Sequence, residues 1–261
     1  MHVVEPKVFL VAETGLIPEG VQEYLDWLGI PDWVSDAPSD AEKLIEICGR
    51  MCYRSFEPGL NKNVRKVREG NKPYIYNILK SKHGSVTEHP VVTFIFADVS
   101  RVFTHELVRH RQGVAISQES LRFVRLTDLG FWAPTVIKED KKALEIMTNT
   151  IQYLEMLQGK LSQHFDLDDP KKPFGIKKVV TSAMRRIAPI GLATSISWSC
   201  NLRALRWIIQ MRTHRSAEEE IRVVFAKVAE IAQQRYPNIF QDFSTEMVDG
   251  LPEFSPEFSK V

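Results

Sequence analysis

Thr104-His105-Glu106-Leu107-Val108-Arg109-His110-Arg111-Gln112-Gly113-Val114-Ala115-Ile116-Ser117-Gln118-Glu119-Ser120-Leu121-Arg122 is the densest polar stretch of the chain, and the elements on either side of it set the fold. Upstream, Val91 to Val99 alternates, with Val92, Phe94 and Phe96 on one face and Thr93, Ile95 and Ala97 on the other. That is the period of a half-buried strand. Ser100 then offers an N-cap, which predicts a helix running to about Arg111. Arg109, His110 and Arg111 would end that helix, where the negative end of the macrodipole tolerates cations. Glu106 is within reach of Arg109 or His110 at helical spacing. Apolar Val108 and the run Val114 to Ile116 flank the cations and point to partial burial. Buried cations need anionic partners, and acids are locally too few. A phosphate or pyrophosphate fits, because a guanidinium reads phosphate oxygens bidentately. Further polar clusters at Arg185-Arg186, Asn201-Leu202-Arg203 and Arg212-Thr213-His214-Arg215 extend the same theme toward a nucleotide site.

The rest of the chain reads as α/β in content with little βαβ regularity. Residues 7 to 12 read as a strand and 40 to 53 as a helix. Residues 139 to 165 carry the longest helical pattern, with Leu144, Met147, Ile151, Leu154 and Leu161 at helical spacing. Further helices are expected over 176–187, 201–213 and 216–234, the last opened by Ser216-Ala217-Glu218-Glu219 as a capping box. Pro58 to Lys72 is polar and basic and reads as a mobile, solvated loop. One domain is expected over 1–249, followed by a loose tail over 250–261 that contains Pro252 and Pro256. No Gly-rich loop suggests a Rossmann or P-loop site.

Composition narrows the function. With 261 residues and 44% hydrophobic content, the chain can bury a sizeable core. Its 34 basic and 33 acidic residues leave a formal charge of +1, without the basic excess of a module that binds DNA or RNA. No nucleic-acid polymer is therefore expected as a partner. No apolar run is long enough to span a membrane, and the N-terminus lacks a signal-peptide pattern, so a soluble, cytoplasmic protein is expected. The three cysteines, Cys48, Cys52 and Cys200, form no even framework and lack partners for a metal site, so core thiols are the simplest reading.

Arg109-His110-Arg111 followed by Ser120-Leu121-Arg122 resembles the signature of the flavin-dependent thymidylate synthases. Three other segments resemble that family in order: His83-Gly84-Ser85-Val86-Thr87-Glu88-His89, His105-Glu106-Leu107, and Asn201-Leu202-Arg203-Ala204-Leu205-Arg206 with Gln210-Met211-Arg212. The likeness spans roughly residues 40 to 245. It implies an α/β (α+β) fold with a central antiparallel or mixed sheet flanked by long helices, and a homotetramer with FAD sites where subunits meet. It implies methylation of dUMP at C5 to give dTMP, with methylenetetrahydrofolate and NADPH as co-substrates.

By position, the resemblance places Ser85, Arg109, His110, Arg111, Gln118, Asn201 and Arg203 at FAD. It places Glu106, Arg109, Gln118, Glu119, Ser120, Leu121, Arg122, Arg185 and Arg212 at the pyrimidine nucleotide, with Arg212 favouring ionisation at N3. A fixed cation beside a developing anion stabilises it strongly in a water-poor site. Ser120 has no dedicated base and reads as an orienting hydroxyl. No cysteine sits beside a group that would activate it, so the cofactor must carry the hard step. The sequence departs from the signature at one place. Eight residues, Gln112 to Glu119, separate the triplet from Ser120, where the family has seven. A second departure is Trp207, at a position near the flavin where the family often has His. A loop reshaped by the extra residue would suit the alternative of a related flavin-dependent methylase or hydroxymethylase acting on UMP or another pyrimidine nucleotide.

Overall fold

The computed structural model describes residues 2–121 and 130–259. In chain order the elements are β1 (His2–Val3), β2 (Lys7–Glu13), α1 (Pro18–Leu28), α2 (Asp40–Tyr53), α3 (Asn71–Lys80), β3 (Val91–Ser100) and α4 (Arg101–Leu107). There follow β4 (Val114–Gln118), β5 (Gly130–Phe131), α5 (Thr135–Lys138), α6 (Lys141–His164), α7 (Phe174–Met184), β6 (Ala193–Asn201), α8 (Leu202–Thr213), α9 (Glu219–Arg235), β7 (Phe243–Val248) and β8 (Leu251–Pro256). Short 3-10 turns over Gly84–Glu88 and Arg185–Ile187 precede β3 and β6. This is the mixed α/β content expected.

A four-stranded sheet has the order β2-β3-β6-β4. A parallel pair β1-β5 and an antiparallel hairpin β7-β8 complete the strands among the described residues. The alternation in β3 is as read, since Val92, Phe94 and Phe96 are fully buried. Strand β6 buries Thr194, Ile196, Trp198 and Cys200 by the same period of two. Its pattern, Ala-Thr-Ser-Ile-Ser-Trp-Ser-Cys-Asn, is a strand signal that sequence reading missed.

The chain divides into two compact units. One holds the described residues of 2–9, 95–109 and 116–198, and the other those of 10–94, 110–115 and 199–259. In the first unit, Phe96 packs edge-on against Phe103 at 5.4 Å and lies 6.0 Å from Trp198. A second cluster there joins Phe131, Ala133 and Ile151. The second unit packs Leu25, Ile30, Ile47 and Phe56 together. Its polar centre is a buried network. Glu42 accepts from the backbone N–H of Asn238 (2.7 Å) and Ile239 (3.1 Å), while the Asn71 amide bonds Glu46 (2.8 Å) and receives Asn238 (2.8 Å). Burial pushes the Glu42 carboxyl above the usual range, against the pull of its donors.

Capping explains most helix starts. Ser39, Ser100, Asp140 and Asn201 each accept a backbone N–H of the first turn. Three expectations need correction. Helix α9 is capped by Glu218, which accepts from Glu220 and Ile221, and not by Ser216, whose hydroxyl is taken by His214 Nδ1 at 2.8 Å. Helix α4 ends at Leu107, so the cation triplet lies beyond it. The residues expected as a loose tail form β8. Phe254 is buried, its N–H bonds Thr213 Oγ1 at 3.0 Å, and its carbonyl accepts from the same hydroxyl. A fully buried pair, Arg206 with Asp242 (2.8 and 2.9 Å), supports that end further: Asp242 also accepts the Phe258 N–H at 3.1 Å. Short, isolated strands with Pro carry little period, which is why the sequence hid them.

Candidate functional site

The expected site residues fall into two sets, one in each unit. In the second unit the link runs from the cation triplet to α8. Past α4 the chain turns at Gly113, whose φ is +65°. The Gly113 carbonyl accepts the Asn201 N–H at 3.0 Å. A Cβ on Gly113 would stand 2.3 Å from Asn201 Nδ2, so only glycine fits this approach. Asn201 Oδ1 is spent on capping α8, through the Ala204 N–H at 2.8 Å, which leaves its Nδ2 as the remaining donor. Further along α8, Arg212 Nε donates to His110 Nε2 at 2.7 Å. In that bond the imidazole Nε2 is the acceptor. Arg203 pairs with Glu88 at 2.5 Å across half-exposed side chains, and Ser85 is exposed on the 3-10 turn that carries Glu88. Thus Gly113 meets Asn201 at the start of α8 and His110 meets Arg212 in its last turn, while Arg111, between them in the chain, stays exposed.

In the first unit, β4 places the second half of the motif. Gln118 Nε2 donates to Thr104 Oγ1 at 3.1 Å. Glu119 is tied to β6. Its N–H bonds the Ser195 carbonyl (3.0 Å), and its carboxylate accepts the Ser195 N–H (3.2 Å) and the Thr194 hydroxyl (3.5 Å). Those bonds spend one carboxylate oxygen on the sheet. Glu106, Arg109, Ser120 and Leu121 lie on this unit's part of the motif, and Arg185 opens the 3-10 turn before β6. Arg122 lies outside the described residues.

Arg101 is a residue that sequence reading passed over. It donates to the Glu119 carbonyl at 3.2 Å, yet its Nε is buried and has no partner among the described residues. Burial pushes its guanidinium below the ordinary value. Glu119 opposes that shift and the nearby Arg185 adds to it. Two guanidiniums close enough to repel, one with an orphaned buried N–H, describe a place for an anion. A signal was available. A cation at the first position of a helix faces the positive end of the macrodipole, and that cost asks for a compensating anion.

The thiols offer no alternative chemistry. Cys200 is fully buried, and burial holds it well above the usual thiol range. Burial, then the neighbouring Cys52, raises Cys48. Cys52 itself is exposed, which departs from the core reading. Among the described residues no cluster of His, Cys, Asp or Glu could hold a metal, and no helix is long and apolar enough to cross a membrane.

The arrangement in the second unit suits a ligand that carries a pyrophosphate. Arg111, Arg203 and the Asn201 amide are the donor types a pyrophosphate takes, and Gly113 keeps the backbone bare beside them. In the first unit, Arg101, Arg185 and Gln118 suit a nucleoside monophosphate.

Comparison with known proteins gives a consistent result. Residues 34–238 match the family described as thymidylate synthase complementing protein. The chain is 34% identical to a flavin-dependent thymidylate synthase of Corynebacterium diphtheriae over 84% of this chain and 86% of that one. It is 30% identical to that of Corynebacterium aurimucosum over 98% of both. In structure it is similar to a UMP/dUMP methylase, PolB from Streptomyces cacaoi, solved with 5-Br UMP and with 5-Br dUMP. The TM-scores are 0.60 and 0.62, at 16% and 17% identity, over 91% of this chain and 93% and 94% of those. That likeness shows the fold.

Proposed function

The chain belongs to the flavin-dependent thymidylate synthase family, and on that premise we propose that it methylates dUMP at C5, with FAD as cofactor and NADPH and methylenetetrahydrofolate as co-substrates. The observation that carries the reading is the meeting of the Arg109-His110-Arg111 segment with α8, through Gly113 on Asn201 and His110 on Arg212. These segments lie far apart in sequence, and each resembles a segment of the same family.

FAD, when bound, supplies the redox and one-carbon chemistry that no side chain here can. The chain's own residues bind and orient. Ser85, His110, Arg111, Asn201 and Arg203 hold the dinucleotide, and Arg109 serves both ligands. Arg101 and Arg185 take the substrate phosphate. Gln118, Ser120, Leu121 and Arg122 orient the sugar and base, with Glu106 beside them. Arg212 holds the negative charge that develops as the N3 proton leaves, and C5 gains electron density. His110 keeps the Arg212 fork in place. Helix α7 buries none of its residues and exposes Phe174, Ile176 and Val179, and α6 buries only Ile151 and Gln158. Such unburied apolar helix faces support a homotetramer.

Mass analysis of products from dUMP and from UMP, with methylenetetrahydrofolate and NADPH, tests the reading. A net mass gain of one CH2 on dUMP, from replacing the C5 hydrogen by methyl, is expected from a yellow, flavin-loaded protein. A colourless protein that cannot be loaded with FAD would overturn it. Methylation or hydroxymethylation of UMP in preference to dUMP would favour the second reading, which rests on the extra residue between Arg111 and Ser120.

A further inference from the structure

A cavity of about 390 Å³ lies in the second unit, and none of the residues assigned above lines it. The end of α2 (Arg50, Tyr53), the segment Asn63–Arg68 and His83 line it. Pro58 to Lys72 was expected to be a solvated, mobile loop. Instead the buried Arg50 ties its later part back to the end of α2, donating to the Arg68 carbonyl at 2.9 Å and to the Ser55 carbonyl, just before the loop, at 2.7 Å. Asn61 holds the middle through the Tyr53 carbonyl (2.8 Å) and the Asn63 N–H (2.9 Å). Arg50 itself is neutralised by Glu46 at 2.7 Å and stacks 4.4 Å over the Tyr74 ring. It is scaffold, with no charge to spare.

Arg65, Lys66 and Arg68 are different. All three are exposed, and none forms an ion pair with a carboxylate among the described residues. They lie along an irregular segment whose extended reach from Arg65 to Arg68 is on the order of 10 Å. That is a row of cations, where a single phosphate would want a converging fork. The lining also holds an aromatic pair, with Tyr53 edge-on to His83 at 5.7 Å. The cavity therefore matches a ligand in which an aromatic group leads into several carboxylates in a row. The clamp fixes the backbone at Arg68, which lowers the entropy cost of ordering the segment on binding.

We propose that this cavity binds the carboxylate tail of the folate co-substrate, with Arg65, Lys66 and Arg68 reading a chain of γ-linked glutamates. This rests on the proposed use of a folate. His83 stands two residues before Ser85, so the cavity begins next in the chain to a residue assigned to the flavin.

The test compares monoglutamyl and tetraglutamyl methylenetetrahydrofolate on the flavin-loaded enzyme with dUMP and NADPH. The tetraglutamyl form should have a KM lower by about tenfold, with the advantage lost at high salt. In Arg65→Ala/Lys66→Ala/Arg68→Ala the ratio should fall to near one, and Arg65→Lys/Arg68→Lys should restore much of it. Equal KM values in the wild type overturn the proposal. So does a triple variant that keeps the ratio but loses its preference for NADPH over NADH, since that gives the cavity to a phosphate. If neither folate is turned over, the proposed function fails, and calorimetric titration of the flavin-loaded protein with the two tetrahydrofolates decides this site alone. Tighter binding of the tetraglutamyl form, abolished in the triple variant, supports it, and equal binding overturns it.

Discussion

Arg212 and Arg203 share α8 nine residues apart, which is about 13 Å along the axis. The structure gives them different company, His110 for Arg212 and Glu88 for Arg203. Different ends of one extended site are the natural assignment, with Arg203 at the cofactor and Arg212 at the base. Arg212→Ala should keep FAD and its reduction by NADPH, yet slow nucleotide alkylation by about a hundredfold or more, the usual loss for a preorganised charge. Arg212→Lys should rescue in part. Release of FAD by Arg212→Ala, with normal alkylation once flavin is resupplied, would refute the assignment. For Arg101, the expectation is loss of nucleotide affinity. Arg101→Ala should raise the KM for dUMP at least about tenfold while flavin content is unchanged. A KM within error of the wild type, in a folded variant, would remove Arg101 from the site. The Arg-His-Arg triplet was legible in the sequence because it is contiguous. Arg101 was not, because its meaning depends on Glu119 and Arg185 folding against it.

Elements place these side chains, and α4 shows how. Ser100 caps it as the sequence predicts, accepting from Phe103 at 3.2 Å. Its early end was not legible. Nothing in Val108 to Gln112 forbids helix, and the stop comes from a tertiary contact, the Gly113 turn against Asn201. Gly113→Ala therefore meets two costs, a positive φ and a collision with the α8 cap. The variant should lose flavin retention and about 1–3 kcal/mol of stability, read by absorbance of the purified protein and by denaturant unfolding. Unchanged flavin content and midpoint would mean that the turn has slack. Helix α8 was readable at both ends. Strand β6, which leads into it, was not among the strands expected, although Thr194, Ile196, Trp198 and Cys200 alternate with half-buried residues.

Across the whole molecule, the second unit ties residues near the two ends of the chain. Glu13 at the end of β2 accepts from Arg235 Nε (2.9 Å) and the Tyr236 hydroxyl (2.7 Å) at the end of α9. The Arg235 bond, against the opposing effect of burial, holds the Glu13 carboxyl below its usual value. A carboxyl depressed in the folded state contributes stability above its unfolded pKa, and that contribution is lost as pH falls through the folded one. Glu13→Gln should thus lower Tm at neutral pH, with the difference from wild type shrinking to nothing well below about pH 4. A difference that stays constant down to acid pH would show that shape, and not charge, is at work. The first unit carries the assembly prediction. If α6 and α7 meet other subunits, light scattering should give a tetramer, and Phe174→Glu/Val179→Glu should yield smaller, less active species. An active wild-type monomer would refute it.

By itself the sequence determined the family, the main helices, the central alternating strand and the residue types of an anion site. Those signals are local: contiguous cations, period-two and helical patterns, and cap residues act within a few positions of one another. Only the tertiary structure decided that the triplet leaves its helix, that Arg101 stands with Arg185, and that β8 is ordered. It alone made Glu119 a sheet anchor, and it alone turned the basic segment after α2 into the wall of a cavity. Each of these depends on partners 18 to more than 70 residues away, such as Arg50 on Arg68, Arg101 on Glu119 and Glu119 on Ser195. The free energy of such contacts exists only once the intervening chain has folded, so no local pattern records it.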